Sequence, residues 1–206
     1  VICEEVVTYF HNLTTNNPKA EYEHLLIAPM SFKSRILALM DGEIEKARKH
    51  EPCGMKLKMN SLTDKEIILK LIEASRAGVP IRMIIRGICC LRPGVLYQTD
   101  NIEIRSIVGR YLEHSRIFVF GTGKNRQVFI SSADFMTRNT QRRVEVASPI
   151  YDREIADKLE AIIDLELDDN QKSHRLLSNG SYEKITNDKP PLDSQIAFFD
   201  AKQLQK

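Results

Sequence analysis

In the run Tyr111-Leu112-Glu113-His114-Ser115-Arg116-Ile117-Phe118-Val119-Phe120, a histidine and an arginine stand two residues apart at the mouth of an apolar segment. Read as the start of a strand, that spacing turns both side chains to one face and Ser115 and Ile117 to the other. An imidazole gives or takes a proton near neutral pH, and its ring nitrogen can attack phosphorus. A guanidinium beside it would hold phosphoryl oxygens as charge develops on them. Taken alone, a single histidine ahead of a strand is more often structural, and the residues leave both readings open.

Three further places carry candidate chemistry. Ser131-Ser132-Ala133-Asp134 closes a strand, with Thr137-Arg138-Asn139 following in a loop. Small hydroxyl residues at a strand end let a ligand come close, and Asp134 or Glu145 could orient His114 by accepting its second ring proton. A polar turn with Asp134 as a helix cap reads equally well. Arg86 lies in the apolar run Ile84-Ile85-Arg86-Gly87-Ile88. A charge there needs either a salt bridge or a place at the carboxyl end of a strand, where α/β sheets bind ligands, and Gly87 permits close approach of backbone or ligand. Gly121-Thr122-Gly123-Lys124 lacks the spacer, second hydroxyl and following helix of a phosphate loop and reads as a hairpin turn. His11, His24, His50 and His174 are scattered and read as surface or structural.

Charge sharpens this picture. The whole chain carries only +2 over 206 residues, which does not make it a nucleic-acid magnet. Between positions 82 and 143, however, eleven basic residues face four acids, and ten of the eleven are arginine. The planar arginine fork matches phosphate oxygens bidentately, which favours a phosphoryl or polyanionic ligand over a merely solvated face. A hydrophobic fraction of 42% with 28% charged residues fits a water-soluble globular chain. No apolar run is long enough to cross a bilayer, and no secretory signal opens the chain. Cys3, Cys53, Cys89 and Cys90 fit no zinc spacing and make a poor disulfide framework, so free thiols and a cytoplasmic setting are expected.

These residues need elements to hold them. Apolar periodicity predicts helices over 1–17, stopped by Asn16-Asn17-Pro18, and over 34–49 and 152–167. Thr63-Asp64-Lys65-Glu66 reads as a capping box opening a helix that Gly78 stops. Buried strands are expected at 25–29 and 81–88, with further strands at 102–108, 116–120, 128–131 and 144–147. Met55-Lys56-Leu57-Lys58-Met59 alternates like a half-exposed strand. Arg175-Leu176-Leu177 turns at Asn179-Gly180 into Tyr182 as a hairpin, and beyond Lys189-Pro190-Pro191 a loose tail is expected. Early alternation of strand and helix argues for an α/β sandwich with helices on the sheet faces, mostly parallel at first. The opening at Val1, directly into a helical pattern, reads as a piece of a longer chain.

Four stretches carry a resemblance. They are Lys58-Met59-Asn60-Ser61-Leu62, the run from Arg86 through Cys89-Cys90 to Arg92-Pro93-Gly94, the run from Ser106 through Gly109-Arg110 to His114-Ser115-Arg116, and Ser131-Ser132-Ala133-Asp134-Phe135-Met136-Thr137-Arg138-Asn139. In this order they closely resemble the C-terminal domain of the bacterial ATP-dependent polyphosphate kinases, over about residues 1–185. The resemblance implies a phospholipase D-like α/β sandwich, a mixed sheet flanked by helices on both faces. It implies a helix and linker at 1–20 leading in from a preceding domain, the sandwich at 21–168, and a hairpin with loose tail at 169–206. In that family two such domains share one site. The histidine that becomes phosphorylated and the magnesium ligands lie in the first domain, so no metal is expected on this chain. His114 matches the second histidine, and Arg86 and Arg143 match contacts to ATP and polyphosphate. Arg116, Ser132, Asp134, Arg138 and Glu145 are expected to support them. The implied partners are ATP, ADP, polyphosphate and the sister domain, with Mg²⁺ as cofactor. A homo-oligomeric full-length enzyme is expected in the cytoplasm, membrane association being left open, with no nucleic-acid partner.

The implied reaction moves the γ-phosphoryl of ATP to polyphosphate through a phosphohistidine on the sister domain. Two departures count against a phospholipase D-type phosphodiesterase or nuclease: Arg116 and Gly121 stand where that pattern has Lys and Asp. Phe135 stands where the kinase family usually has Trp. A non-catalytic polyanion-binding module is the other alternative.

Overall fold

The computed structural model describes residues 2–15 and 21–198. Within them nine strands form one sheet in the order β1-β7-β6-β5-β2-β3-β4-β8-β9. The strands are β1 (Leu26–Ala28), β2 (Met55–Met59), β3 (Ile81–Ile85), β4 (Ile102–Ile107), β5 (Ile117–Phe120), β6 (Gln127–Ser131), β7 (Glu145–Pro149), β8 (Ser173–Leu176) and β9 (Tyr182–Lys184). The helices are α1 (Ile2–Thr14), α2 (Phe32–Arg48), α3 (Lys65–Arg76), α4 (Thr137–Gln141), α5 (Arg153–Asp168) and α6 (Ser194–Ala197). Strands β2, β3 and β4 run parallel, and the remaining pairings are antiparallel. The mixed sheet with a parallel start is the expected α/β sandwich.

Both faces of the central strands are covered, which is why β5 reads as an unbroken apolar run and β3 is interrupted only by Arg82. Phe32, Ile36, Met40 and Ile44 of α2 and Ile67, Leu71 and Ala74 of α3 pack on Leu57, Met59, Met83, Ile85, Phe118 and Phe120. Ala156, Ile163 and Leu167 of α5 cover Ile84, Ile107, Ile117, Val119 and Val128 on the other face. Phe135 is fully buried in the first of these clusters, 4.7 Å from the Phe118 ring. Its role is core packing.

Several expectations are corrected. The α3 cap is Asp64 rather than Thr63: its Oδ1 accepts from the backbone N–H of Glu66 at 3.1 Å and of Ile67 at 3.2 Å. The strand expected to reach Ile88 ends at Ile85, so Arg86 is the first residue beyond the carboxyl end of β3. Strand β2 is central and not half-exposed. Its lysines alternate in sequence as a solvated face would, but α5 lies over them and supplies acids. Lys56 pairs with Glu160 and Asp164, and Lys58 is 2% exposed between Glu113 and Glu166. Thr137-Arg138-Asn139, expected in a loop, opens the short helix α4. The stop at Asn16-Asn17-Pro18 lies outside the described residues.

The tail is not loose through residue 198. Beyond the β8–β9 hairpin the chain returns across the end of α5, and Ser194, Gln195 and Ala197 are buried. Proline-rich composition hid this because the hold is polar: Asp169 and Asn170 grip backbone N–H groups of the returning segment. All four cysteines are unpaired. No helix among the described residues is long and apolar enough to cross a membrane.

Candidate functional site

The topology brings five chain segments to one edge of the sheet. β2, β3 and β6 end there; β5 and β7, running the other way, begin there. Asn60 and Ser61 therefore follow β2, Arg86 and Ile88 follow β3, and Ser132 and Asp134 follow β6. His114 and Arg116 precede β5, and Arg143 and Glu145 lead into β7. With Arg138 and Asn139 of α4 these residues line one open cleft of about 610 Å³. Every site residue expected from the sequence, Arg86, His114, Arg116, Ser132, Asp134, Arg138, Arg143 and Glu145, lines it.

The backbone is drawn tight at the floor. Gly87 donates its N–H to the Asn60 carbonyl at 2.7 Å, and a Cβ there would meet that oxygen at 3.0 Å. The glycine thus admits neighbouring backbone. Asp134 is the hub of the wall. Its Oδ1 accepts from the Asn60 backbone N–H at 2.7 Å and from Arg116 Nε at 3.1 Å, and its Oδ2 accepts from Arg116 Nη2 at 3.3 Å. Asn60 Oδ1 is buried without a hydrogen-bond partner among the described residues.

Neither carboxylate expected to orient His114 touches it. Asp134 holds Arg116, and Glu145 accepts from Ser132 Oγ at 2.5 Å and from Asn139 Nδ2 at 2.6 Å. Arg116 stands between: its Nη1 is 3.0 Å from His114 Nδ1 and donates to the His114 carbonyl at 2.8 Å. Arg116 Nη2 is also 3.5 Å from His114 Nε2, so both ring nitrogens face the guanidinium. His114 is exposed and lies ahead of β5, not within it. The two-residue spacing brought the pair together without strand geometry.

Electrostatically the cleft is net basic: Arg86, Arg116, Arg138 and Arg143 line it against Asp134 and Glu145. Arg82, Arg105, Arg116 and Arg126 are each matched to a carboxylate. Arg86, Arg138 and Arg143 make no ion pair among the described residues, and all three face the cleft. Arg138 and Arg143 also line an adjoining depression with Thr137 and Arg142. The salt bridge considered for Arg86 is not found among the described residues. Among the described residues no three His, Cys, Asp or Glu side chains come together as a metal site.

Beneath the cleft lies a polar group that the sequence did not signal. Lys58 Nζ bonds Glu113 Oε2 at 2.8 Å and also Glu166. One cation thus serves two carboxyls. Burial pushes Glu166 up to about 8, so it keeps its proton at neutral pH. Burial also works to raise Glu113, but the Lys58 ammonium outweighs it and holds that carboxyl below the usual range. The alternation of β2 gave Lys58 the look of a surface residue, and only the packing of α5 reveals it. Gly121 lies at the opposite end of β5 from His114, with φ +91°. An aspartate there would be strained and far from the cleft.

Residues 25–195 match the family model described as Polyphosphate kinase C-terminal domain 2. The polyphosphate kinase of Staphylococcus saprophyticus is 47% identical over 194 residues, covering 94% of this chain and 27% of its own length. That of Staphylococcus haemolyticus is 45% identical over 195 residues, covering 95% and 27%. The crystal structure of polyphosphate kinase from Porphyromonas gingivalis superposes with a TM-score of 0.89 at 36% identity, over 97% of this chain and 32% of that one. Nuc from Salmonella typhimurium, a phospholipase D family member, superposes with a TM-score of 0.55 at 17% identity and shares the fold alone. The chain spans about a quarter of the length of the curated relatives it matches.

Proposed function

The chain belongs to the polyphosphate kinase family as its second C-terminal domain, and from that premise we propose that its cleft is half of a phosphoryl-transfer site joining ATP to polyphosphate. The observation that carries this reading is the trio Arg86, Arg138 and Arg143, cations without carboxylate partners among the described residues, around the exposed ring of His114. Unpaired guanidiniums facing one cleft suit a ligand that brings its own negative charges.

The reaction runs in two displacements. A histidine on the sister domain attacks the γ-phosphorus of ATP; a P–N bond forms, the bond to the β–γ bridging oxygen breaks, and ADP leaves. A terminal oxygen of polyphosphate then attacks the phosphohistidine, the P–N bond breaks, and the chain is longer by one unit. The second step brings polyphosphate against an anionic phosphoryl group, and that repulsion is the main obstacle. Arg86 and Arg143 offset it with fixed charge. His114 donates a hydrogen bond to the oxygen on which charge develops, as general acid or charge stabiliser. Asp134 holds Arg116, and Arg116 holds the His114 ring. Ser132, Glu145 and Arg138 support the wall on which the acceptor lies. Magnesium, which would neutralise nucleotide phosphates, finds no ligand set among the described residues, and this reading assigns it to the sister domain. The setting proposed is a cytoplasmic enzyme, homo-oligomeric at full length.

The test uses the full-length enzyme and γ-labelled ATP. The reading expects acid-labile label on a sister-domain histidine, polymer synthesis by the wild type, and none by His114→Ala. Label on His114 itself, or wild-type synthesis in that variant, overturns the assignment of roles. Hydrolysis of a phosphodiester would favour the phospholipase D-type alternative, and salt-dependent polyphosphate binding without turnover would favour a binding module.

A further inference from the structure

We propose that Gln195, carried by the returning tail, is a positioning residue that fixes the loop bearing His114. The inference rests on the proposed role of that histidine. Residues 108–116 have no regular structure, and Val108 and Leu112 are exposed, so apolar burial does little at those two positions. Polar contacts also hold the loop, and one of them is the Gln195 amide, itself 3% exposed. Its Oε1 accepts the Tyr111 N–H at 3.0 Å, and its Nε2 donates to the Tyr111 carbonyl and to Glu113 Oε1, both at 2.8 Å. Both amide protons are used, and one residue, Tyr111, is gripped by its N–H and its carbonyl, as a neighbouring strand would grip it. The next residues are the Lys58 anchor at Glu113 and then His114.

Two independent features fit this role. A Cβ at Gly109 would lie 2.5 Å from Gln195 Oε1 and 3.0 Å from its Cδ, so glycine is what leaves room for the amide. The tail is also secured from the far side. Asp169 Oδ2 accepts from Ser194 N and Oγ at 2.8 Å, Asn170 Oδ1 accepts from Leu192 N at 2.8 Å, and Asp193 caps α6 at Gln195 N. Helix α5, which delivers Glu166 beneath the cleft, thus also anchors the tail that reaches its rim. The two most similar side chains do not fit the seat. Glutamate has no proton to donate and would set a second carboxylate against Glu113; asparagine is one methylene short.

The experiment compares full-length wild type with Gln195→Met, which keeps the volume and removes the hydrogen bonds, and with Gly109→Ala, which evicts the amide while leaving it intact. The expectation for each is a kcat for polymer synthesis lower by roughly 10- to 100-fold, since a misplacement of about 1 Å costs on that order, with KM for ATP little changed. Adding Gly109→Ala to Gln195→Ala should cost nothing further, because the methyl then has no amide to strike. Amide hydrogen exchange at 109–114 should quicken in Gln195→Met while that of β2 and β3 stays as in wild type. That readout needs no turnover: a wild type that makes no polymer sinks the proposed function and leaves the exchange result to decide the clamp. Unchanged kcat and unchanged loop exchange in Gln195→Met, or multiplicative losses in the double variant, would overturn the inference.

Discussion

Replacing Asp134 with alanine removes four acceptor contacts at once: Asn60 N at 2.7 Å, Asn60 Nδ2 at 3.3 Å, Arg116 Nε at 3.1 Å and Arg116 Nη2 at 3.3 Å. The two charged side chains are 9% and 12% exposed, so the guanidinium left behind is poorly solvated. Removing one partner of a buried ion pair costs about 3–5 kcal/mol, and the open cleft, which admits water, argues for the lower figure of about 3. For a chain of this size each kcal/mol moves the melting point by about 2–4 °C, which gives a fall of about 6–12 °C. The kinetic consequence is separate. Arg116 freed from Asp134 no longer fixes the His114 ring, and polymer synthesis should fall by roughly 100-fold. Asp134→Asn keeps an oxygen for Asn60 but turns an amide against Arg116 or loses the charge, and should fall between. The assay pairs thermal unfolding of the 206-residue chain with polymer synthesis by the full-length enzyme. A melting point within about 2 °C of wild type, together with wild-type synthesis, would refute the claim that Asp134 holds the catalytic wall together.

Other expectations follow the same logic. His114→Ala should abolish synthesis yet leave the melting point almost unmoved, because the ring is exposed and touches chiefly Arg116. Arg86→Gln and Arg143→Gln should each raise KM for ATP or polyphosphate and flatten the salt dependence of polyphosphate binding, each removing one unpaired cation. Arg116→Lys, which restores the phospholipase D-type residue, cannot span Asp134 and His114 together; we expect loss of synthesis without gain of phosphodiesterase activity in a chromogenic diester assay. Burial raises Glu166 to about 8, so between the ordinary carboxylate range and about pH 8 the folded chain keeps a proton that the unfolded chain releases. Stability is therefore greatest at low pH as far as this group is concerned and declines as pH rises through 8. Glu166→Gln should flatten that decline in urea titrations at pH 6 and pH 8.5, and an unaltered slope would remove Glu166 as its source.

Where the sequence was legible, one physical signal dominated. The apolar runs of β3 and β5, the amphipathic spacing of α2 and α5 and the glycine at 78 each reported a local preference that packing did not override. The site was legible for a related reason. Arg86 is a charge at the edge of an apolar run, and His114 and Arg116 are close enough in sequence to meet in almost any extended conformation. What stayed hidden depended on distant chain. Lys58 alternates like a surface lysine until α5 covers it, more than a hundred residues later in the chain. Asp134 looked like a partner for His114 because nothing in its neighbourhood announces that Arg116 intervenes. Gln195 sits in a proline-rich segment with no periodicity, and its partners Tyr111 and Glu113 are 84 and 82 residues away. Short polar α4 has a tertiary contact that the local sequence does not show: Asp64 Oδ2 accepts from Thr140 Oγ1 at 3.0 Å.

The most direct measurement of the central claim is a crystal structure of the full-length enzyme with a non-hydrolysable ATP analogue bound. The account predicts the β- and γ-phosphates seated between the guanidiniums of Arg86 and Arg143, with the His114 ring directed at a phosphate oxygen. Phosphates bound elsewhere, with those three side chains turned to solvent, would contradict it.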